Sequence, residues 1–285
     1  MIKVLLVPVW TISCLHAQGS ADSASSIDKR LSELLKAKDW GSIADLMETL
    51  TAKERERRGD TWILALNKAG RWERLVQACD EVLPQIEASA GPRFGVERAM
   101  RAQALSRLNR HEEALDAHRT NGGLGSLAGY RNACVEARLL GNWKALQECA
   151  EAVLAKEPTN GECLAMKGES LARQARYPEA EPVLLEASHL VPGRAMTWAD
   201  LACCLNERGA YQEALRAADQ ALQIDPRLME GLCNHGRACF GLKRYRDGRK
   251  DFAAALALGP ADPALVQNLK LNVKMADRYL AETKR

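Results

Sequence analysis

Aromatic side chains make up only 5% of this 285-residue chain, with three Phe, five Tyr and six Trp, and runs of strand-favouring residues are scarce. That shortage argues against a β-sheet core, because strands fill their pleated surface with β-branched and aromatic side chains. Ala, Leu, Glu, Lys and Arg dominate instead, and all are good helix formers, so an all-α fold is expected. Beyond residue 15 no apolar run is long enough to cross a bilayer as a helix. Neither sign of charge is in excess, since 40 basic residues face 37 acidic ones for a formal net charge of +3. A nucleic-acid surface needs a stronger basic footprint, so no nucleic-acid partner is expected. The densest basic cluster, Lys53 to Arg58, is interleaved with glutamates and reads as a salt-bridged helix face.

Patterns that carry chemistry are missing too. There is no Cys-x-x-Cys, no serine stands in a nucleophile elbow, and Gly122 to Gly125 lacks the lysine and preceding strand of a phosphate loop. The five histidines, His16, His111, His118, His189 and His235, are scattered. His111 and His118 lie seven apart on one helix face without a ligand set around them, and His111 and His235 read as packing residues. No catalytic residue, cofactor or metal is expected, and the chain is not expected to be an enzyme.

The amino terminus reads as a secretory signal over residues 1–17: Lys3, an apolar stretch from Val4 to Leu15, then small and polar residues. Cleavage is expected after Ala17, with a cut after Ala21 as the alternative, and residues 18–26 read as a flexible leader. Cys14, following Ile12 and Ser13, is similar to a lipoprotein acceptor site, but Thr11 stands where that site has Leu, so anchoring there is the lesser alternative. The chain is therefore expected to be exported, periplasmic or secreted. Cys79, Cys134, Cys149, Cys163, Cys203, Cys204, Cys233 and Cys239 remain after removal of the signal. An even number invites disulfides in an exported protein. Cys79, Cys134 and Cys239 nevertheless fall where small apolar side chains pack, and core thiols are expected.

What the chain has in quantity is repetition. Pro158, Pro192, Pro226 and Pro260 stand 34 residues apart, and so do Trp143, Tyr177, Tyr211 and Tyr245. Within Ala195 to Leu228, Trp198, Leu201, Ala202 and Leu205 form a helical stripe. Gly209 then permits a tight turn, Tyr211 fills the elbow, Ala214, Ala218 and Ala221 let two helices approach, and Pro226 ends the second helix. This pattern resembles the tetratricopeptide repeat. The same template fits Leu127 to Asn160, Gly161 to Arg194 and Met229 to Asp262, although Ala175 replaces the turn glycine and Gly168 and Gly236 are the small packing residues. Looser copies occupy residues 27–126, built around Trp40, around Gly70 with Trp72, and around Leu105 with His111. The helix after His111 is expected to end near Thr120, and the glycines of residues 88–126 predict a bend in the stack. Residues 263–285 read as a capping helix with Leu265, Leu269, Val273 and Met275 towards the core.

The resemblance implies a right-handed superhelical solenoid of antiparallel helix pairs, four regular units over 127–262 followed by the cap. It also implies a concave groove lined by the first helix of each pair. The positions that line such grooves in the family hold Arg131, Asn132, Arg138, Glu169, Asp200, Asn206, Asn234 and Arg237, with Gln267 and Asn268 in the cap. Asn132, Asn234 and Asn268 share one position in the repeat, and an amide there can donate to and accept from an extended backbone. Some members of the family clamp a terminal carboxylate with a Lys/Asn/Asn/Lys/Arg set. Here Ala165 and Glu169 replace the first two, Asp200 the third, and Glu230 and Asn234 the last two, which argues against a chaperone-tail receptor. The expected function is a scaffold that holds a peptide segment or a partner protein. The alternatives are an assembly factor acting through oligomerisation or an accessory subunit of an enzyme.

Overall fold

The computed structural model describes residues 21–90 and 95–282. The signal segment, Cys14 and Gly91-Pro92 lie outside the described residues. Every regular element among the described residues is a helix. Contacts divide the chain into two compact units, the first ending at Arg74 and the second beginning at Leu75, upstream of the stretch where glycines predicted a bend.

The first unit holds α1 (Ala21–Ala37), α2 (Trp40–Glu48), α3 (Ala52–Arg57) and α4 (Gly59–Ala69), and α5 (Trp72–Ala90) starts at its end. α1 begins at Ala21, so most of the expected leader is helical. Ile43, Ala44 and Met47 of α2 and Trp62, Ile63 and Leu66 of α4 are buried and form the core of this unit. Arg55 and Arg58 of the basic cluster take part in that packing. Arg55 donates to the Leu50 carbonyl at 2.8 Å and its guanidinium lies 5.3 Å from the Trp62 ring centroid, while Arg58 pairs with Asp28 at 2.7 Å.

The second unit continues with α6 (Val96–Arg107) and α7 (His111–Gly123), then α8 (Leu127–Leu139) with α9 (Trp143–Leu154), and α10 (Gly161–Arg173) with α11 (Tyr177–Leu190). α12 (Ala195–Glu207) pairs with α13 (Tyr211–Ile224) and α14 (Met229–Gly241) with α15 (Tyr245–Ala257), and α16 (Pro263–Glu282) follows. Ser126, Asn142 and Asn160 cap α8, α9 and α10 by accepting the backbone N–H of Gly129, Ala145 and Cys163. α7 runs through Gly123 instead of ending near Thr120. The reason is contact: a side chain at Gly129 would come within 2.6 Å of the Gly122 nitrogen and 2.8 Å of the His118 carbonyl, so these glycines let α7 and α8 touch backbone to backbone.

Inside the regular pairs the expected small residues do the expected packing. A Cβ on Gly168 would meet the Leu184 side chain at 2.5 Å, and one on Gly236 would meet the Phe252 ring at 2.9 Å. Ala214, Ala218 and Ala221 are fully buried, as are Cys79, Cys134 and Cys239. Desolvation pushes the Cys79 and Cys204 thiols up to about 12, which holds them protonated and unreactive. Tyr211 departs from expectation: it is 37% exposed and lies against Gly241 of the next pair, where a Cβ would sit 2.2 Å from its ring. In the cap, Leu269 and Ala276 are buried and Met275 is exposed, because the inward row runs Leu265, Leu269, Val273, Ala276 and leaves position 275 to one side. Tyr279 of α16 stacks on Tyr245 at 4.5 Å.

The turn inside each pair is left-handed at one residue: φ is +65° at Gly141, +57° at Ala175, +79° at Gly209 and +61° at Lys243. Only glycine adopts that region freely, and another residue there costs about 1 kcal/mol or more. Ala175→Gly is therefore expected to raise stability by about 0.5–1 kcal/mol, after the opposing gain in chain entropy of the unfolded state, and urea denaturation will measure it.

Candidate groove on the first helices

α10, α12 and α14, the first helices of three successive pairs, pack side by side, so their outward-facing residues form one continuous surface. The ten side chains expected to line it divide into three kinds. Arg131, Asn132, Arg138, Arg237, Gln267 and Asn268 are exposed, while Glu169, Asp200, Asn206 and Asn234 are buried. The exposed arginines are each held by a carboxylate: Arg131 by Glu157, Arg237 by Glu207, and Arg138 by Glu169 at 3.9 Å. Asn268 accepts from Asn272 at 2.8 Å.

Two of the asparagines work within the stack. Asn206 donates to the Asn234 carbonyl at 2.9 Å, and Asn234 donates to the Ala199 carbonyl at 3.0 Å, so the two amides tie α12 to α14. The expectation that these donors are free for a partner's backbone is corrected here, because the adjacent helix already takes them. The Asn206 side-chain oxygen, by contrast, is buried with no hydrogen-bond partner among the described residues.

The acidic pair is the third kind. Glu169 is 4% exposed and receives Arg194 at 3.4 Å. Arg194 also pairs with Glu162 at 3.0 Å, and it was not legible as a site residue because it sits in the connection before α12. Asp200 is 6% exposed and its carboxylate has no hydrogen-bond or ion-pair partner among the described residues. Burial, with the nearby Glu169 charge adding to it, pushes the Asp200 carboxyl up to about 7, against partial relief from Arg173 and Arg194.

Two hollows open along this surface. One, of ≈ 510 Å³, is lined by Arg138, Glu162, Met166, Val191, Gly193 and Arg194. The other, of ≈ 530 Å³, brings together Asn206, Arg237 and Asn268 with the aromatic rings of Tyr211, Phe240 and Phe252 and with Leu265 of the cap. The rings were not predicted as site residues. Tyr211 reaches the hollow only because Gly241 leaves room for it. Away from the expected groove residues, α14 and α15 also bring His235, Cys239 and Asp251 together, whereas His111 and His118 go to separate partners, Glu136 and Ser106.

No family model matches the chain. It is 23% identical over 217 residues to an Hsp70-Hsp90 organizing protein of Triticum aestivum, covering 73% of this chain and 36% of that protein. It is 27% identical over 112 residues to Hsp70-Hsp90 organizing protein 1 of Glycine max, covering 39% and 20%. The chain thus spans about a third or less of these curated relatives. Among solved structures it is similar to YrrB, described as a TPR protein with an unusual peptide-binding site, with TM-score 0.51 and 20% identity over 66% of this chain and 96% of that one. MamA from Desulfovibrio magneticus RS-1 matches with TM-score 0.51 and 18% identity, over 58% of this chain and 96% of that one. The APC/C Cut9-Hcn1 hetero-tetramer matches with TM-score 0.55 and 17% identity, over 86% of this chain and 48% of that one.

Proposed function

We propose that this chain, folded like tetratricopeptide-repeat solenoids, is a non-catalytic scaffold that holds an extended peptide segment of a partner protein against α10, α12 and α14. The observation that carries this reading is Asp200. A carboxylate that is only 6% exposed and has no hydrogen-bond or ion-pair partner among the described residues is costly to keep ionised, and a cationic side chain from outside would complete it. The ≈ 530 Å³ hollow beside Tyr211 and Phe240 would take an apolar side chain of the same segment, and Arg237 and Asn268 at its rim would meet polar groups. The partner favoured is thus a segment carrying Lys or Arg and, a few residues along, an apolar anchor. A terminal carboxylate is disfavoured, since Asp200 and Glu169 present like charge where the family's clamp has amides. Export of the chain is part of the same proposal and rests on the sequence of residues 1–17.

Selection of a random peptide display library on the purified chain tests the reading. Sequences enriched in Lys or Arg are expected, with enrichment lost for Asp200→Asn and weakened for Arg237→Ala. Asn234→Ala is a poor test, because its amide ties two helices together. Failure to enrich any peptide, or enrichment indifferent to both substitutions, refutes the groove assignment. It would favour the assembly reading instead.

A further inference from the structure

His235, Cys239 and Asp251 bring three side chains of metal-ligating type to one point, and no step of the proposed scaffold function uses them. His235 and Cys239 stand one turn apart on α14, so their side chains share a face. Asp251 reaches the same point from α15, and the three ligand atoms lie within 4.8 Å of one another. His235 Nδ1 is 3.7 Å from Cys239 Sγ and 2.6 Å from Asp251 Oδ2. We propose that this cluster is a binding site for a divalent transition-metal ion of the zinc or cobalt class, with His235 Nδ1, Cys239 Sγ and Asp251 Oδ2 as ligands and water completing the sphere.

Geometry supports it in two independent ways. With metal–nitrogen and metal–oxygen bonds of about 2.0–2.1 Å and a metal–sulfur bond of about 2.3 Å, tetrahedral ligation places N and S about 3.6 Å apart and N and O about 3.4 Å apart. The His235–Cys239 separation already matches, and Asp251 has to withdraw by less than about an ångström, which a small side-chain rotation on a partly exposed residue provides. The second support is on the far side of the ring, where Asp219 of α13 lies 3.2 Å from His235 Nε2. A carboxylate on the outer nitrogen is the arrangement that fixes the tautomer and aim of a metal-bound histidine. The donor set is mixed nitrogen, sulfur and oxygen, which suits zinc and its neighbours and does not suit calcium or magnesium.

Charge balances as well. A divalent ion held by the Cys239 thiolate, the Asp251 carboxylate and a neutral imidazole leaves the site uncharged overall. This proposed site goes beyond the expectation that His235 and Cys239 serve as packing residues and that no metal is bound. Nothing in the spacing reveals it, because Asp251 is joined to the other two solely by the pairing of α14 with α15.

Cobalt(II) titration of the purified, reduced, metal-free chain tests the proposal without any partner. One equivalent is expected to produce the near-ultraviolet thiolate-to-cobalt band and the intense visible bands of a tetrahedral ion, with zinc displacing them. Cys239→Ala should abolish the thiolate band, with helical circular dichroism checked to show that the solenoid stands. Asp251→Asn, at a partly exposed position that leaves the core intact, should weaken cobalt binding strongly. Asp219→Asn, acting through the histidine, should weaken it about tenfold or more while leaving the thiolate band in place. Absence of the band in the parent chain, its survival in Cys239→Ala, or unchanged affinity in Asp251→Asn each overturns the site.

Discussion

Gly129→Val is expected to cost about 3 kcal/mol or more, read from urea midpoints at constant m-value. The position has no slack: its Cβ would lie 2.6 Å from the backbone nitrogen of Gly122, 2.8 Å from the His118 carbonyl and 3.0 Å from the carbonyl carbon of Asn121. All three are backbone atoms of α7, so relief cannot come from turning a flexible side chain. α7 and α8 would have to separate, and the separation would loosen buried groups on both helices, Leu115 and His118 on one and Ala133 and Cys134 on the other. Gly193→Ala is the matched control. Its Cβ would meet nothing within 4 Å, and a change within about 0.5 kcal/mol is expected there. A small effect at Gly129 would mean that α7 and α8 are not in backbone contact.

Gly129 also marks the kind of feature that a sequence hides. The 34-residue spacing of Pro158, Pro192, Pro226 and Pro260, and of the four elbow aromatics, could be read directly, because each residue acts on its own segment. The same holds for Gly168 and Gly236, whose packing partners lie within the same helix pair. Asn121 to Ser126 carries loop chemistry in its composition, yet most of it is helix or helix contact, since what the glycines supply is closeness to α8 and not flexibility. The groove residues divide along the same line. Their register on the first helices was legible from the repeat, whereas their burial and bonding were not. Nothing in the spacing says that the Asn206 and Asn234 amides face each other's helices, that Arg194 reaches back to Glu162 and Glu169, or that Tyr211 slides over Gly241 into a hollow.

Asp200→Asn is expected to separate stability from function. A carboxyl raised to about 7 in the folded chain, from about 3.8 when unfolded, binds its proton more tightly when folded. The folded state is therefore favoured at low pH, and that advantage is lost as pH rises from about 4 through about 7. Above about pH 7 the ionised carboxylate is a net burden on folding, on the order of a few kcal/mol. The neutral amide of the variant removes the charge but still lacks a partner. The substitution should therefore add about 2 kcal/mol of stability at about pH 8 and almost nothing at about pH 4, measured by urea denaturation at both values. Binding should move the opposite way. A lysine-bearing peptide needs Asp200 ionised, and the ionised fraction rises about tenfold between about pH 6 and pH 8 for a group titrating near 7. The parent chain should accordingly bind that peptide about tenfold more tightly at pH 8 than at pH 6, and Asp200→Asn should bind weakly at both. A parent chain that gains stability towards pH 8, or binds the basic peptide equally at both pH values, would show that Asp200 finds its countercharge within the solenoid itself. The groove would then lose the group that selects for a cation.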